Sequence, residues 1–130
     1  HRILFQIENL PKIYGDLEMI RSVWLNLIEN AVKFSKNKDV ADITIGSIDD
    51  EEDYITYFIK DNGAGFDMKY SSKLFGVFQR LHAKNDYDGT GIGLATVQRV
   101  ISKHGGTVWA EGEVDKGATI YFKLEKRKDE

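Results

Sequence analysis

With 130 residues, 42% of them hydrophobic and 30% charged, the chain has room for one domain around a single core. A formal net charge of -3 gives no electrostatic case for holding nucleic acid or an anionic membrane, and no apolar run approaches the roughly 18 residues of a membrane span. Zero cysteines exclude disulfides and thiolate metal sites, and His1, His82 and His104 show no metal-ligand spacing.

The first element in chain order is an extended apolar segment at residues 3–7, predicted as a strand. A helix is expected over 17–35. Asp16 is its candidate N-cap, and Ile20, Val23, Trp24, Leu27, Ile28 and Ala31 recur at helical spacing on one face. Asn26 and Asn30 stand one turn apart beside that stripe, with Lys33 on the same flank. Carboxamide oxygens are hard neutral donors that suit Mg²⁺, an ion that commonly completes its octahedron with substrate phosphates. Taken alone, the two Asn read better as ordinary polar surface, although Asn lowers helix propensity by several tenths of a kcal/mol.

Strands are predicted over 42–48 and 54–60. Asp61 then puts a carboxylate at the mouth of the second, and Gly63 and Gly65 permit positive φ and close approach of backbone to a flat ligand. An ionised carboxylate accepts a hydrogen bond from the exocyclic amine of adenine and offers none to the O6 of guanine. The competing reading of Asp-Asn-Gly is a hairpin turn. Against it, residues 64–68 do not resume an alternating strand, and a short helix is expected near 70–78.

Residues 79–88 form a polar loop before Gly89, Thr90, Gly91, Gly93 and Leu94, where a second long helix opens and runs to Lys103 and His104; Gly105 and Gly106 stop it. Free N–H groups at such a helix start attract phosphate. The preceding segment is polar and the glycine spacing is wrong for a dinucleotide fingerprint. A P-loop's Gly-Lys-Ser/Thr ending and the Ser/Thr/Tyr kinase motifs are missing. Strands at 107–111 and 119–124 complete an α/β class in two layers, a sheet covered by helices on one face. One domain over residues 1–130, cut from a longer protein, is the expectation.

Asn26 to Ser35, Asp61 to Gly65, Leu74 to Phe78, Gly89 to Leu94 and Gly117 to Thr119 together resemble, in order and spacing, the asparagine, first glycine, phenylalanine, second glycine and terminal Gly-x-Thr elements of one family. It is the ATP-binding catalytic domain of bacterial sensor histidine kinases, in the GHKL superfamily shared with DNA gyrase, MutL and heat-shock chaperones. Residues 78–82 are further similar to the phytochrome-like branch. The resemblance covers nearly the whole chain and implies a mixed, mostly antiparallel sheet in a two-layer sandwich.

It also implies roles. Asn30 would bind Mg²⁺, with Asn26 and Lys33 assisting at metal and phosphates, and Phe34 would flank the base. Asp61, with Gly63, Gly65 and Phe66 in its box, would hold adenine. Gly89, Thr90, Gly91, Gly93 and Leu94 would meet the phosphates, Arg80 the γ-phosphate, and Thr119 would support Asp61 through water, while residues 79–88 would be an ATP lid. Phe75, Val77 and Phe78 are candidates for docking or core.

The implied reaction is transfer of the γ-phosphoryl group of Mg·ATP to a histidine on a separate dimerisation domain, followed by a response regulator, in a homodimeric parent. His82 and His104 would not be the acceptor. The domain would be cytoplasmic, with membrane attachment of the parent left open. ATPases of the superfamily carry a water-activating glutamate four residues before the metal asparagine; here that position is Asn26, whose amide cannot take the proton. The alternatives are a degenerate nucleotide-binding module and a GHKL ATPase or serine kinase.

Overall fold

In the computed structural model, residues 2–13, 15–75 and 93–126 are described, Ser72 by its backbone alone. Two long helices follow from the apolar periodicity. In α1 (Leu17–Phe34) the buried residues Ile20, Val23, Leu27 and Ala31 form one stripe, and the Asp16 carboxylate caps the start by accepting the Met19 N–H at 3.0 Å. Ser35 closes the helix, its hydroxyl donating to the Ala31 carbonyl at 2.6 Å. In α2 (Gly93–Lys103) the buried stripe is Val97, Val100 and Ile101.

Among the described residues the sheet has five strands, β1 (Arg2–Ile7), β2 (Val40–Ile48), β3 (Tyr54–Asp61), β4 (Thr107–Glu113) and β5 (Gly117–Glu125), in the spatial order β1-β2-β3-β5-β4. β1 runs parallel to β2 and all other pairs are antiparallel, so the sheet is mixed and mostly antiparallel, as expected. β2 starts two residues earlier than its pattern suggests. The Asn62 side chain stitches that start, donating to the Val40 carbonyl and accepting from the Asp42 N–H. The short helix after β3 is a 3-10 turn, Met68–Lys73.

Strand alternation sorts the sheet into two faces. Ile43, Ile45, Tyr57, Ile59, Ala110, Ile120, Phe122 and Leu124 form the core with the helix stripes. Trp24 stands edge-on to Phe122 at 5.0 Å and to Tyr57 at 6.3 Å, which seats α1 on the sheet centre. The other face carries the aromatic row Phe58, Tyr121 and Trp109, in register across β3, β5 and β4, with Tyr121 and Trp109 stacked at 5.2 Å. Phe75 is 7% exposed and belongs to the core, so it is not a docking residue. Val77 and Phe78 lie outside the described residues. Among the described residues no helix is long and apolar enough to cross a membrane.

Candidate functional site

Three segments converge at one end of the helix layer. Asp61 closes β3, where its side chain falls on the helix-covered face and is only 6% exposed. Its Oδ1 accepts the Gly63 N–H at 2.8 Å. Burial pushes its pKa up from the ordinary carboxylate value, and backbone hydrogen bonds from Gly63 and Ala118 pull part of the way back. The carboxylate keeps acceptor capacity beyond those two bonds.

The glycine loop after Asp61 is tied on both sides. The Ala64 N–H donates to the Phe34 carbonyl at 2.9 Å, joining the loop to the end of α1, and the Ala64 carbonyl accepts from the Asp115 N–H at 2.7 Å, joining it to the β4–β5 turn. Gly63 is required because a Cβ there would strike the Phe34 carbonyl. Gly65 has φ 65° and is packed against the carbonyls of Glu113 and Gly117. Phe66 does not line the loop's open side. It is 5% exposed, packed where Gly112 leaves room for its ring, and anchors the loop from the core.

On α1 the half-buried Asn26 donates from Nδ2 to the Ser22 carbonyl at 2.9 Å and to the Ser22 hydroxyl at 3.3 Å. This orients Oδ1 toward the start of α2, where a Cβ on Gly93 would stand 3.1 Å from it. Asn30, one turn on and half-buried, has no hydrogen-bond partner for its carboxamide among the described residues. Lys33 places its ammonium 5.0 Å from the centre of the Phe34 ring. Leu94 packs against the core beside Gly93. The donors facing this flank are thus carboxamide oxygens and one ammonium, a set that fits a Mg²⁺–phosphate ligand. Among the described residues no group of three or more His, Cys, Asp or Glu could hold a metal by itself.

Thr119 requires a correction. β5 pairs Asp61 with Ala118, and Thr119 with Lys60, so the Thr119 side chain lies on the opposite face of the sheet from Asp61. There it shares the face of Tyr121, two residues on along β5. The residue beside Asp61 is Ala118, which has no hydroxyl to offer. Arg80, Gly89, Thr90 and Gly91, with the rest of 79–88, lie outside the described residues. Two supporting residues were missed in the sequence. Ser22 had a signal, its spacing of four before Asn26; the stitching by Asn62 had none, because its partners are 20 and 22 residues away.

Comparison with known proteins gives a consistent result. The family model described as histidine kinase-, DNA gyrase B-, and HSP90-like ATPase matches residues 15–128. Cyanobacterial phytochrome A of Nostoc sp. is 36% identical over 115 residues, which cover 88% of this chain and 15% of that protein. The chain therefore spans a small part of the curated relatives it matches. Among solved structures, full-length ShkA in complex with AMPPNP is 30% identical, with a TM-score of 0.72 over 95% of this chain and 25% of that one. The mycobacterial sensor histidine kinase MprB has the same fold, with a TM-score of 0.83 at 24% identity over 95% of this chain and 83% of that one.

Proposed function

Since the chain belongs to the family of histidine kinase-, DNA gyrase B-, and HSP90-like ATPases, we propose that it binds Mg·ATP and presents the γ-phosphoryl group to a histidine of a separate dimerisation domain. The single observation that carries this reading is the buried Asp61 carboxylate at the end of β3, held by backbone N–H groups and followed by glycines. A buried acceptor at the mouth of a strand, with capacity left beyond its backbone bonds, suits the amine edge of adenine. ShkA, the 30% identical relative, is described in complex with AMPPNP, a ligand of the same class.

In this reading each part of the chain has a bounded task. Asp61 accepts the N6 amine and selects against guanine; Gly63 and Gly65 let the loop close on the end of α1 and on the β4–β5 turn, which holds the base end in shape; Phe34 flanks the ring. Phe66 supports the loop from the core. Asn30 holds the metal with Asn26 beside it, Lys33 meets phosphate charge, and Gly93 and Leu94 open a helix whose N–H groups face the phosphates. Arg80, Gly89, Thr90 and Gly91 are assigned to the same phosphates on the motif alone. A bound Mg²⁺ supplies charge neutralisation across the phosphate oxygens. The transfer breaks the bond from the γ-phosphorus to the bridging oxygen and forms one to an imidazole nitrogen. This domain's share is positioning. Asn26, with its amide committed to Ser22, is no base for activating water, which favours transfer over hydrolysis. A response regulator would then take the phosphoryl group, within a dimeric parent.

Calorimetric titration with ATP, ADP and GTP, with and without Mg²⁺, tests the first half. The wild-type domain should prefer adenine nucleotides, and Asp61→Asn should weaken ATP by about tenfold or more, the scale of a hydrogen bond to a charged group. A folded domain that binds none of the three overturns the reading. Acid-labile phosphate appearing on an added histidine-bearing dimerisation domain tests the second half.

A further inference from the structure

His104 joins the two helices of the site at the end remote from it. Its Nδ1 lies 2.9 Å from the Val100 carbonyl one turn back, and its Nε2 lies 3.1 Å from the backbone nitrogen of Asp16, the N-cap of α1. A carbonyl can only accept and a backbone N–H can only donate. The two partners together admit one form of the ring, neutral with its proton on Nδ1 and its Nε2 lone pair aimed at Asp16.

What the ring grips is itself fixed. The Asp16 carboxylate accepts from Met19 and its carbonyl accepts from Ile20 at 2.9 Å, so Asp16 is part of the helix and not of a loose loop. Gly15 makes the approach possible: a Cβ there would stand 2.7 Å from Cδ2 and 2.8 Å from Nε2 of His104. The chain gives up a side chain at residue 15 where the imidazole must pass.

α1 and α2 run in opposite senses, with Gly93 against Asn26 at one end and His104 against Asp16 at the other. Their apolar stripes supply adhesion, but apolar burial is non-directional and resists sliding along the axis weakly. A hydrogen bond from ring to cap resists it directly. Asn26 is ten residues from Asp16, roughly 15 Å along a helix stiff enough to transmit a shift.

We propose that His104 is a positioning residue: by tying the cap of α1 to the end of α2 it sets the axial register of the helices, and so the placement of Asn26 opposite the start of α2, with Asn30 one turn beyond. This inference rests on the nucleotide reading above and adds to it a division of labour. The tie serves the metal and phosphates, which lie between the two helices, while adenine is held by Asp61 on β3 and by a loop bound to the end of α1, so that a slip of α2 along α1 leaves the base end in place.

The two ring nitrogens can be separated by substitution. Asn at 104 offers a donor at about the reach of Nδ1 and keeps the Val100 bond alone; Gln reaches as far as Nε2 and can accept from Asp16. Mg·ATP binding is read by calorimetry, adenosine binding by chemical-shift titration, and folding by circular dichroism. His104→Asn should weaken Mg·ATP about fivefold, the scale of one hydrogen bond, with adenosine unchanged. His104→Gln should restore most of that loss. Gly15→Ala, which drives the ring off Asp16, should reproduce His104→Asn. Parallel weakening of Mg·ATP and adenosine, or wild-type Mg·ATP affinity in His104→Asn and Gly15→Ala, overturns the inference while leaving the nucleotide reading in place. Failure of the wild-type domain to bind either ligand removes both.

Discussion

At the base end of the candidate site, a strand terminus and two glycines are held by backbone hydrogen bonds to α1 and to the β4–β5 turn. At the phosphate end, carboxamides and an ammonium stand on a helix flank opposite the start of a second helix. The first is recognition by fixed backbone, where a change of shape is a change of fold. The second is recognition by side chains whose oxygens can meet a ligand without disturbing the layer beneath. Stability and affinity should therefore be coupled at one end and separable at the other.

The largest effect is expected from Gly65→Ala. At φ 65° with the carbonyls of Glu113 and Gly117 against it, an added Cβ forces the loop away from the turn. A destabilisation of about 2 kcal/mol or more is expected by denaturant titration, together with loss of ATP binding. A Gly65→Ala domain that melts normally would break the coupling.

Asn30→Ala probes the other end. It should abolish most of the increment that Mg²⁺ gives to ATP affinity, in calorimetry with and without the ion. Stability should rise slightly, by several tenths of a kcal/mol in denaturant titration, because Ala is the better helix residue. Loss of stability instead would mean that the phosphate end is also part of the frame.

Thr119→Val and Ala118→Ser sharpen the description of the base end. Thr119 faces Tyr121 across the sheet from Asp61, so its change should leave ATP affinity alone; a hydroxyl at 118 stands beside Asp61 and can donate to it. A gain of up to about fivefold in ATP affinity is expected for Ala118→Ser.

The smallest effect is in pH. Burial raises the folded-state pKa of Asp61 above its unfolded value of 3.8, so the folded state holds this proton more tightly. Its contribution to stability is complete below the unfolded pKa and is lost as pH rises through the raised folded value. Apo stability should thus fall over that window more in the wild type than in Asp61→Asn, while adenine binding, which uses the ionised form, should rise. Identical pH slopes in the two proteins would remove Asp61 from the account.

Much of this was legible in the chain. The limits of α1 follow from Asp16 and a 3.6-residue pattern, both local, and the carboxylate-glycine loop follows from composition at the end of an apolar run. What was not legible is pairing at a distance. A motif carries the spacing from Gly117 to Thr119 but not the register of β5 on β3, and a shift of one residue exchanges the faces. That is why Ala118, not Thr119, neighbours Asp61. Phe66 illustrates the same gap: as part of its glycine box it is expected at the ligand, and only the space above Gly112 puts its ring in the core. The parallel pairing of β1 with β2, separated by a whole helix, leaves no trace in periodicity.

The chain's two tryptophans sit on opposite faces of the sheet, Trp24 on α1 against Phe122 and Tyr57, and Trp109 stacked on Tyr121. Trp109→Phe would leave a single indole emitter, mounted on the very helix that bears Asn26 and Asn30. Its fluorescence lifetime would then follow the seating of that helix in real time, a label-free optical gauge supplied by the packing itself.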